Sequence, residues 1–445
     1  MPRKIALSFL GTNDYIDCHY YLESTPAQMS SPVKYMQEAL VDLICTSGID
    51  VFYVFVTEEA RKANWEDNGH IDRASQTPKP NTGLKNRLLQ RGIEVEAIPI
   101  NPGFSEAEIW AIFESIIECI QTGDEVILDI THAFRSLPTL GTILIPYCRT
   151  MKSAQFSGIY YGAFEKLGMA QDVLGMPMDQ RKAPIINLSS FVELMDWSTA
   201  ADHIIRFGSL AAFADLAKNQ NIIPEADQDV RVRGAGKGLA EALRTIEGAF
   251  YTVRGKEILE GKMFAKLETN LKLLQPQTLK SPYSALLTKV AQQFSAFTPN
   301  NLMNGLQAVA WCKDNRLTQQ GLTLLREWAC IYVLEYFGKD SSQQHLKEAT
   351  SSMLSGYVGE EFSPNSKEEQ SEKRQEEIGL VAELEQQQLV IDMQKIYESI
   401  RDPRNDINHA GMKTMASSAS KLEEKLRAAY EEMLKVCANY PINEK

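Results

Sequence analysis

The chain reads as an α/β N-terminal part followed by an all-α C-terminal part, and three observations carry that reading. Five short β-branched or aromatic runs fall within the first 190 residues, with helical patterns between them. The strand signal stops near Phe191. From there to residue 445 one helical stretch follows another.

The predicted strands are Lys4 to Phe9, Val51 to Val56, Ile93 to Ile100, Glu125 to Ile130 and Phe156 to Tyr161. Helical patterns cover Val33 to Cys45, Ser105 to Ile120 and Leu137 to Met151, and Ser105 with Glu108 makes a capping box for the second. Alternation of this kind, with nearly continuous apolar strands, predicts a mostly parallel sheet covered on both faces. The later helices are expected over Phe191 to Asn219, Gly238 to Arg254, Phe264 to Leu274, Tyr283 to Phe294, Asn301 to Asn315 and Thr318 to Phe337. Residues 354 to about 380, rich in Glu and Lys, read as a loop or insertion passing into a solvated helix. Near the C-terminus Leu389, Met393, Ile396 and Ile400 share one helical face. Asp402-Pro403 then predicts a break and a new helix start, which would put backbone N–H groups beside Arg404 and His409. Ser420 and Glu423 predict the cap of the last helix.

Length and composition bound the function. A chain of 445 residues predicts two or three domains, and 44% hydrophobic with 23% charged residues is the balance of a soluble globular protein. No apolar run approaches a membrane span and no signal-peptide core follows Met1, so a cytoplasmic location without membrane contact is expected. Seven cysteines without a C-x-x-C pair read as small apolar side chains in a reducing compartment. Six scattered histidines support no metal site. A net charge of -12 argues against a protein that coats duplex nucleic acid, while leaving room for a small, locally basic site. The G-x-G-x-x-G, G-x-x-x-x-G-K-[ST] and G-x-S-x-G motifs are absent, against dinucleotide cofactors, P-loop hydrolysis and a serine hydrolase.

Three segments carry candidate chemistry, two loops of the α/β part and one segment near the C-terminus, beside a pair of strand-end tyrosines. Strand one runs into Gly11, Thr12 and Asn13, and the Glu125 strand runs into Thr131, His132, Phe134, Arg135 and Ser136. In parallel sheets, ligands sit beyond the carboxyl ends of strands where strand order reverses, and these residue types suit a phosphate-bearing ligand. Tyr160 and Tyr161 end another strand and could stack on a base. In the third segment Arg404 and His409 stand five residues apart, a phosphate-binding fork beside a side chain that titrates near neutrality.

Taken together, these segments resemble a known family. "SFLGTNDY" and "LDITHAFRSLP" resemble the nucleotide-sensing CARF domain, a Rossmann-like module of type III CRISPR systems. "RNDINH" matches the R-x(4-6)-H motif of HEPN ribonucleases, and "NRLTQQGLTLLREW" (residues 315–328) resembles the helical region of CRISPR-associated CARF/HEPN proteins. The resemblance implies a CARF domain over 1–190, a helical linker domain over 191–300 and a HEPN domain over 301–445. It implies cyclic oligoadenylate, with cyclic tetra-adenylate favoured, as allosteric activator bound by Gly11, Thr12, Asn13, Thr131, His132, Phe134, Arg135 and Ser136 of a homodimer. It implies cleavage of single-stranded RNA without metal or other cofactor, through Arg404, His409 and Asn405, with Arg401 and Lys413 adding positive potential. Two alternatives remain: a sensor without catalysis, and a CARF domain that cleaves its own ring.

Overall fold

The computed structural model describes residues 2–67, 69–72, 75–132, 137–219, 230–274, 281–356, 372–412 and 414–442. Phe134, Arg135, Ser136, Lys413 and most of the predicted insertion at 354–380 lie outside the described residues. The chain divides into two compact units, Met1–Glu193 and Leu194–Lys445.

The first unit is built on an eight-stranded sheet: β1 (Lys4–Leu10), β2 (His19–Leu22), β3 (Thr25–Met29), β4 (Val51–Val56), β5 (Val95–Pro99), β6 (Glu125–Asp129), β7 (Gln155–Gly162) and β8 (Lys182–Asn187), in the order β3-β2-β8-β7-β6-β1-β4-β5. The five strands β5, β4, β1, β6 and β7 are mutually parallel neighbours, as the alternation predicted. The period of two along β1 sends Ala6 and Leu10 to one face and Ile5, Leu7 and Phe9 to the other. One face is covered by α1 (Met36–Leu43) and α2 (Leu84–Leu89), the other by α3 (Glu106–Cys119) and α4 (Leu137–Lys152). Ser105 caps α3 by accepting from the Glu108 N–H at 3.2 Å, as expected. The Glu108 carboxylate turns instead to the N–H groups of Gly103 and Phe104.

Three strands were not anticipated. β3 is wholly exposed and contains Pro26, β2 has four residues, and β8 contains Pro184. None shows the long apolar run that marks a buried parallel strand. Two antiparallel pairings, β7 with β8 and β2 with β3, make the sheet mixed at that edge.

The second unit is helical. Its core runs from Trp197 to Val436 as one apolar cluster. Its helices include α5 (Ser189–Phe207, which begins in the first unit), α6 (Ala211–Lys218), α7 (Val230–Tyr251), α8 (Gly255–Glu260), α9 (Lys262–Leu273), α10 (Ser281–Gln292), α11 (Asn304–Asp314) and α12 (Thr318–Tyr336). They continue with α13 (Gln344–Leu354), α14 (Glu372–Leu384), α15 (Gln388–Asn408) and α16 (Ala419–Asn439). The helix expected from 191 to 219 is divided between α5 and α6 at Gly208, whose φ is +63°. In α12 Leu322, Leu325, Ala329 and Val333 are all buried, as their spacing required.

Two expectations near the C-terminus fail. Pro403 lies inside α15 and starts no new helix, because Ile400, Pro403 and Asp406 are buried on one continuing face and Ile407 packs on the same core. Burial there outweighs the lost N–H of the proline, which in a helix interior costs about 3 kcal/mol. The cap of α16 is Ser418, two residues earlier than predicted, accepting from the Lys421 N–H. Leu389, Met393, Ile396 and Ile400 form the inward face of α15, as read from their spacing.

Candidate functional site

Two groups of sequence-predicted residues come together, one in each unit. In the first unit, strand order reverses between β1 and β6, since the crossovers from β1 run through β4 to β5 on one side and β6 to β7 on the other. The loops that leave the carboxyl ends of β1 and β6 therefore flank the crevice where open α/β sheets bind ligands.

The first loop is pinned from three directions. The Gly11 N–H donates to Tyr15 Oη at 3.0 Å. Asn64, fully buried in the helical turn after β4, donates from Nδ2 to the Gly11 carbonyl at 2.9 Å and the Asn13 carbonyl at 2.8 Å. Its Oδ1 lies 2.9 Å from His70 Nε2 and accepts from Tyr35 Oη at 3.3 Å. Both amide hydrogens of that side chain are spent on the loop, while its oxygen is held by His70 and Tyr35. Asp14 closes the third side, with Lys34 Nζ at 3.2 Å and Lys79 Nζ at 2.6 Å. Burial pushes the Asp14 carboxyl up, and the two lysines more than offset it, holding the group below its ordinary range. A Cβ at Gly11 would stand 2.6 Å from Tyr15 Oη, so a side chain there would force that hydroxyl off its bond to the Gly11 N–H.

The second loop is anchored by Asp129, a fully buried carboxylate at the end of β6. Asp129 Oδ2 accepts from Ser8 Oγ at 2.7 Å, and Oδ1 accepts from the Thr131 N–H at 2.9 Å and from Thr131 Oγ1 at 2.5 Å. Thr131 Oγ1 in turn accepts from the Gly162 N–H at 2.8 Å. Its hydroxyl is thus engaged in the framework, not presented to a ligand. The His132 ring lies 4.4 Å from that of Tyr15 at a 40° tilt, which ties the two loops together, and its Nε2 has no hydrogen-bond partner among the described residues. Burial brings that imidazole down to a pKa of about 4, so it is neutral at physiological pH.

The structure sorts the predicted ligand residues. Thr12 and Asn13 are exposed at the crevice, whereas Gly11, Thr131 and His132 shape it from behind. Tyr160 lines a separate cavity of about 520 Å³ with Leu22, Leu43, Ile44 and Ile185, and Tyr161 Oη donates to Glu165. Sequence reading missed Asn64, His70, Lys34 and Lys79. The first of these stands 51 and 53 residues from the carbonyls it holds, a separation that no local motif reveals.

In the second unit Arg404 and Asn405 lie in the last turns of α15 and His409 is the residue that caps its C-terminus. This corrects the expected helix N-terminus: the unpaired backbone groups there are carbonyls, so no ring of N–H donors waits for a phosphate. The helix closes with Ala410 at φ +55° and Gly411 at φ +64°, their N–H groups donating to the Ile407 and Asp406 carbonyls at 2.9 Å each. Asp406 Oδ2 accepts from the Ser417 N–H at 2.7 Å and draws the following loop against the helix. The hydrogen-bond pattern assigns the Asn408 amide oxygen toward Arg404, accepting from Nε at 3.1 Å and Nη1 at 3.2 Å. The i, i+4 spacing places these two side chains on one helix face. His409 is exposed at the end of the helix, while Arg404 and Asn405 are half-buried. Arg401 is paired with Asp402 at 3.6 Å. A cavity of about 530 Å³ elsewhere in this unit, lined by Lys313, Arg316, Glu423 and Arg427 among others, includes none of the predicted catalytic residues.

Comparison with known proteins adds one relative. Over 156 residues the chain is 28% identical to the CRISPR-associated protein MJ1674 of Methanocaldococcus jannaschii. The chain is a relative of a CRISPR-associated protein. That agrees with the resemblance to CRISPR-associated CARF/HEPN proteins carried by the motifs at its two ends. The matched stretch covers 34% of this chain and 21% of that protein. Csm6 of Enterococcus italicus, solved bound to cyclic hexa-2'-fluoro-hexa-dAMP, is similar at 13% identity with a TM-score of 0.43, over 100% of this chain and 96% of that one. No family model matches the chain. Among the described residues no helix is long and apolar enough to cross a membrane.

Proposed function

We propose that the chain is a ribonuclease switched on by a cyclic oligoadenylate, with a sensing CARF domain over 1–190, a helical linker over 191–300 and a HEPN domain over 301–445. The observation that carries the catalytic half is the last turns of α15: a guanidinium steadied by Asn408 and an exposed imidazole, on one helix end. The sensing half is supported by the position of Thr12 and Asn13 at the strand-order reversal, on a loop fixed by Asn64.

In this reading two copies of the chain bring their Arg404–His409 segments into one cleft. The 2'-OH of single-stranded RNA attacks the adjacent phosphorus and expels the 5'-oxygen, leaving a 2',3'-cyclic phosphate and a 5'-OH end. His409 takes part in the proton transfer or positions the 2'-OH, and Arg404 stabilises charge on the phosphorane-like transition state. Asn405, beside them, orients the site. The nucleophile belongs to the RNA, so no metal-bound water has to supply it. Ring binding favours the cleaving geometry only through a difference in affinity between two dimer states.

The test is cleavage of single-stranded RNA in EDTA with cyclic tetra-adenylate or hexa-adenylate. Wild type is expected to cleave and Arg404→Ala and His409→Ala to lose cleavage while still binding the ring. Mutants that cleave like wild type, or a wild type inert with every ring size, would overturn the catalytic assignment.

A further inference from the structure

We propose that Lys34 and Lys79 form an anion subsite beside the first loop, occupied in this structure by the chain's own Asp14 and taken over by a phosphate when a nucleotide ligand binds. The proposal rests on the ligand site proposed above and adds to it two residues that no motif contains.

Two ammonium groups from distant parts of the chain converge on one carboxylate. Lys34, just ahead of α1, reaches Asp14 Oδ1 at 3.2 Å, and Lys79, before α2, reaches Oδ2 at 2.6 Å. The Lys34 side chain is largely buried, only 11% exposed, whereas Lys79 and Asp14 remain reachable at 42% and 35%. Two ammonium groups are thus gathered at one carboxylate, in a chain whose net charge is -12. The His70 ring, 2.9 Å from Asn64, lies close enough to feel the charge of both lysines and of Asp14.

The location matters as much as the charge. Asp14 directly follows the exposed Thr12 and Asn13, on the loop that Asn64 pins at the mouth of the crevice. A phosphodiester carries the same single negative charge as a carboxylate and likewise offers two free oxygens. It can therefore replace Asp14 lysine by lysine without leaving either cation unpaired. Asp14 then acts as an internal competitor, which keeps the loop ordered when no ligand is present and lowers affinity for weakly bound anions.

Competition makes a prediction of opposite sign for the two partners of one ion pair. Affinity for cyclic tetra-adenylate and cyclic hexa-adenylate is measured by calorimetry for wild type, Lys79→Gln and Asp14→Asn across a range of KCl concentrations. Lys79→Gln is expected to weaken binding roughly tenfold, the loss of one charge-assisted hydrogen bond. It should also flatten the slope of log K against log salt by about 0.7, one phosphate contact fewer. Asp14→Asn is expected to tighten binding severalfold. If both variants weaken binding with the salt slope unchanged, the ion pair only holds the loop and the proposal fails; it fails equally if Lys79→Gln binds as wild type does. A wild type that binds neither ring defeats the sensing function itself. The subsite is then read with linear tetra-adenylate, and equal binding by wild type and Lys79→Gln there overturns it as well.

Discussion

Asn64 is the position where a single side-chain truncation tells most about the proposed ligand crevice. Asn64→Ala removes two donated bonds, to the carbonyls of Gly11 and Asn13, and two acceptor interactions, from His70 and Tyr35. The side chain is fully buried, so the two carbonyls lose their partner where water does not reach readily. At about 1 kcal/mol for each net hydrogen bond, and more for each group left unsatisfied, the loss is roughly 2–4 kcal/mol. His70→Ala removes only the contact to Oδ1 and should lose roughly 0.5–1.5 kcal/mol. Hydrogen exchange followed by mass spectrometry reads this within the first unit alone, because peptides covering residues 8–15 report the local opening free energy of the loop. Asn64→Ala should bring that loop close to free exchange, with a matching loss of ring affinity. The double variant should show coupling of about 1 kcal/mol between Asn64 and His70, which touch at 2.9 Å. Wild-type protection of residues 11–14 in Asn64→Ala would refute the claim that this amide holds the loop.

Two further outcomes follow from the site geometry. His132 has its pKa lowered to about 4 by burial, so between its unfolded value near 6.5 and 4 the unfolded chain binds more protons. Its contribution is present above about pH 6.5 and is lost as pH falls toward 4; His132→Phe should flatten that part of the first unit's stability profile, and parallel urea-unfolding profiles for the two proteins over pH 4–7 would contradict it. For the helical unit, Asn408→Ala should lower kcat for RNA cleavage roughly tenfold with little change in KM, since it frees the Arg404 guanidinium without removing it. Asn408→Gln should recover part of the rate, and a variant that raises KM alone would point to RNA binding instead.

What the sequence disclosed and what it hid divide along a physical line. Strands β1, β4 and β6 were legible because burial on both faces demands unbroken apolar runs, and the wholly buried Phe52, Val54 and Phe55 leave no other reading. β2, β3 and β8 were hidden because none has a long apolar run: β2 has only four residues, β3 is an exposed edge strand with Pro26, and β8, inside the sheet between β2 and β7, carries Pro184. The loops at Gly11 and Thr131 could be found because a strand running into polar residues is a local signal. Asn64 and Lys79 could not, since only the crossover from β1 to β4 carries them back to the first loop, 51 and 65 residues away from Asn13 and Asp14.

Pro403 shows why a sound local rule gave the wrong end of a helix. Asp-Pro is a good start signal, because an N-terminal proline loses no hydrogen bond and an aspartate there accepts from free N–H groups. That rule weighs the backbone alone. Ile400, Pro403 and Asp406 are buried in steps of three on the face of α15 already carrying Leu389, Met393 and Ile396. Ending the helix at Asp402 would strip that face from the core, a loss of about 1.5–3 kcal/mol for a single large apolar side chain, comparable to the proline's own cost. The consequence reaches the chemistry. With Arg404 and His409 at a helix C-terminus, the free backbone groups of the helix end are carbonyls, and in the proposed reaction the guanidinium is the group of this segment that holds the phosphate. In the proposed reaction the grip of Asn408 on that guanidinium therefore bears on the rate, and the motif's own Asn405 is not the residue that makes this contact.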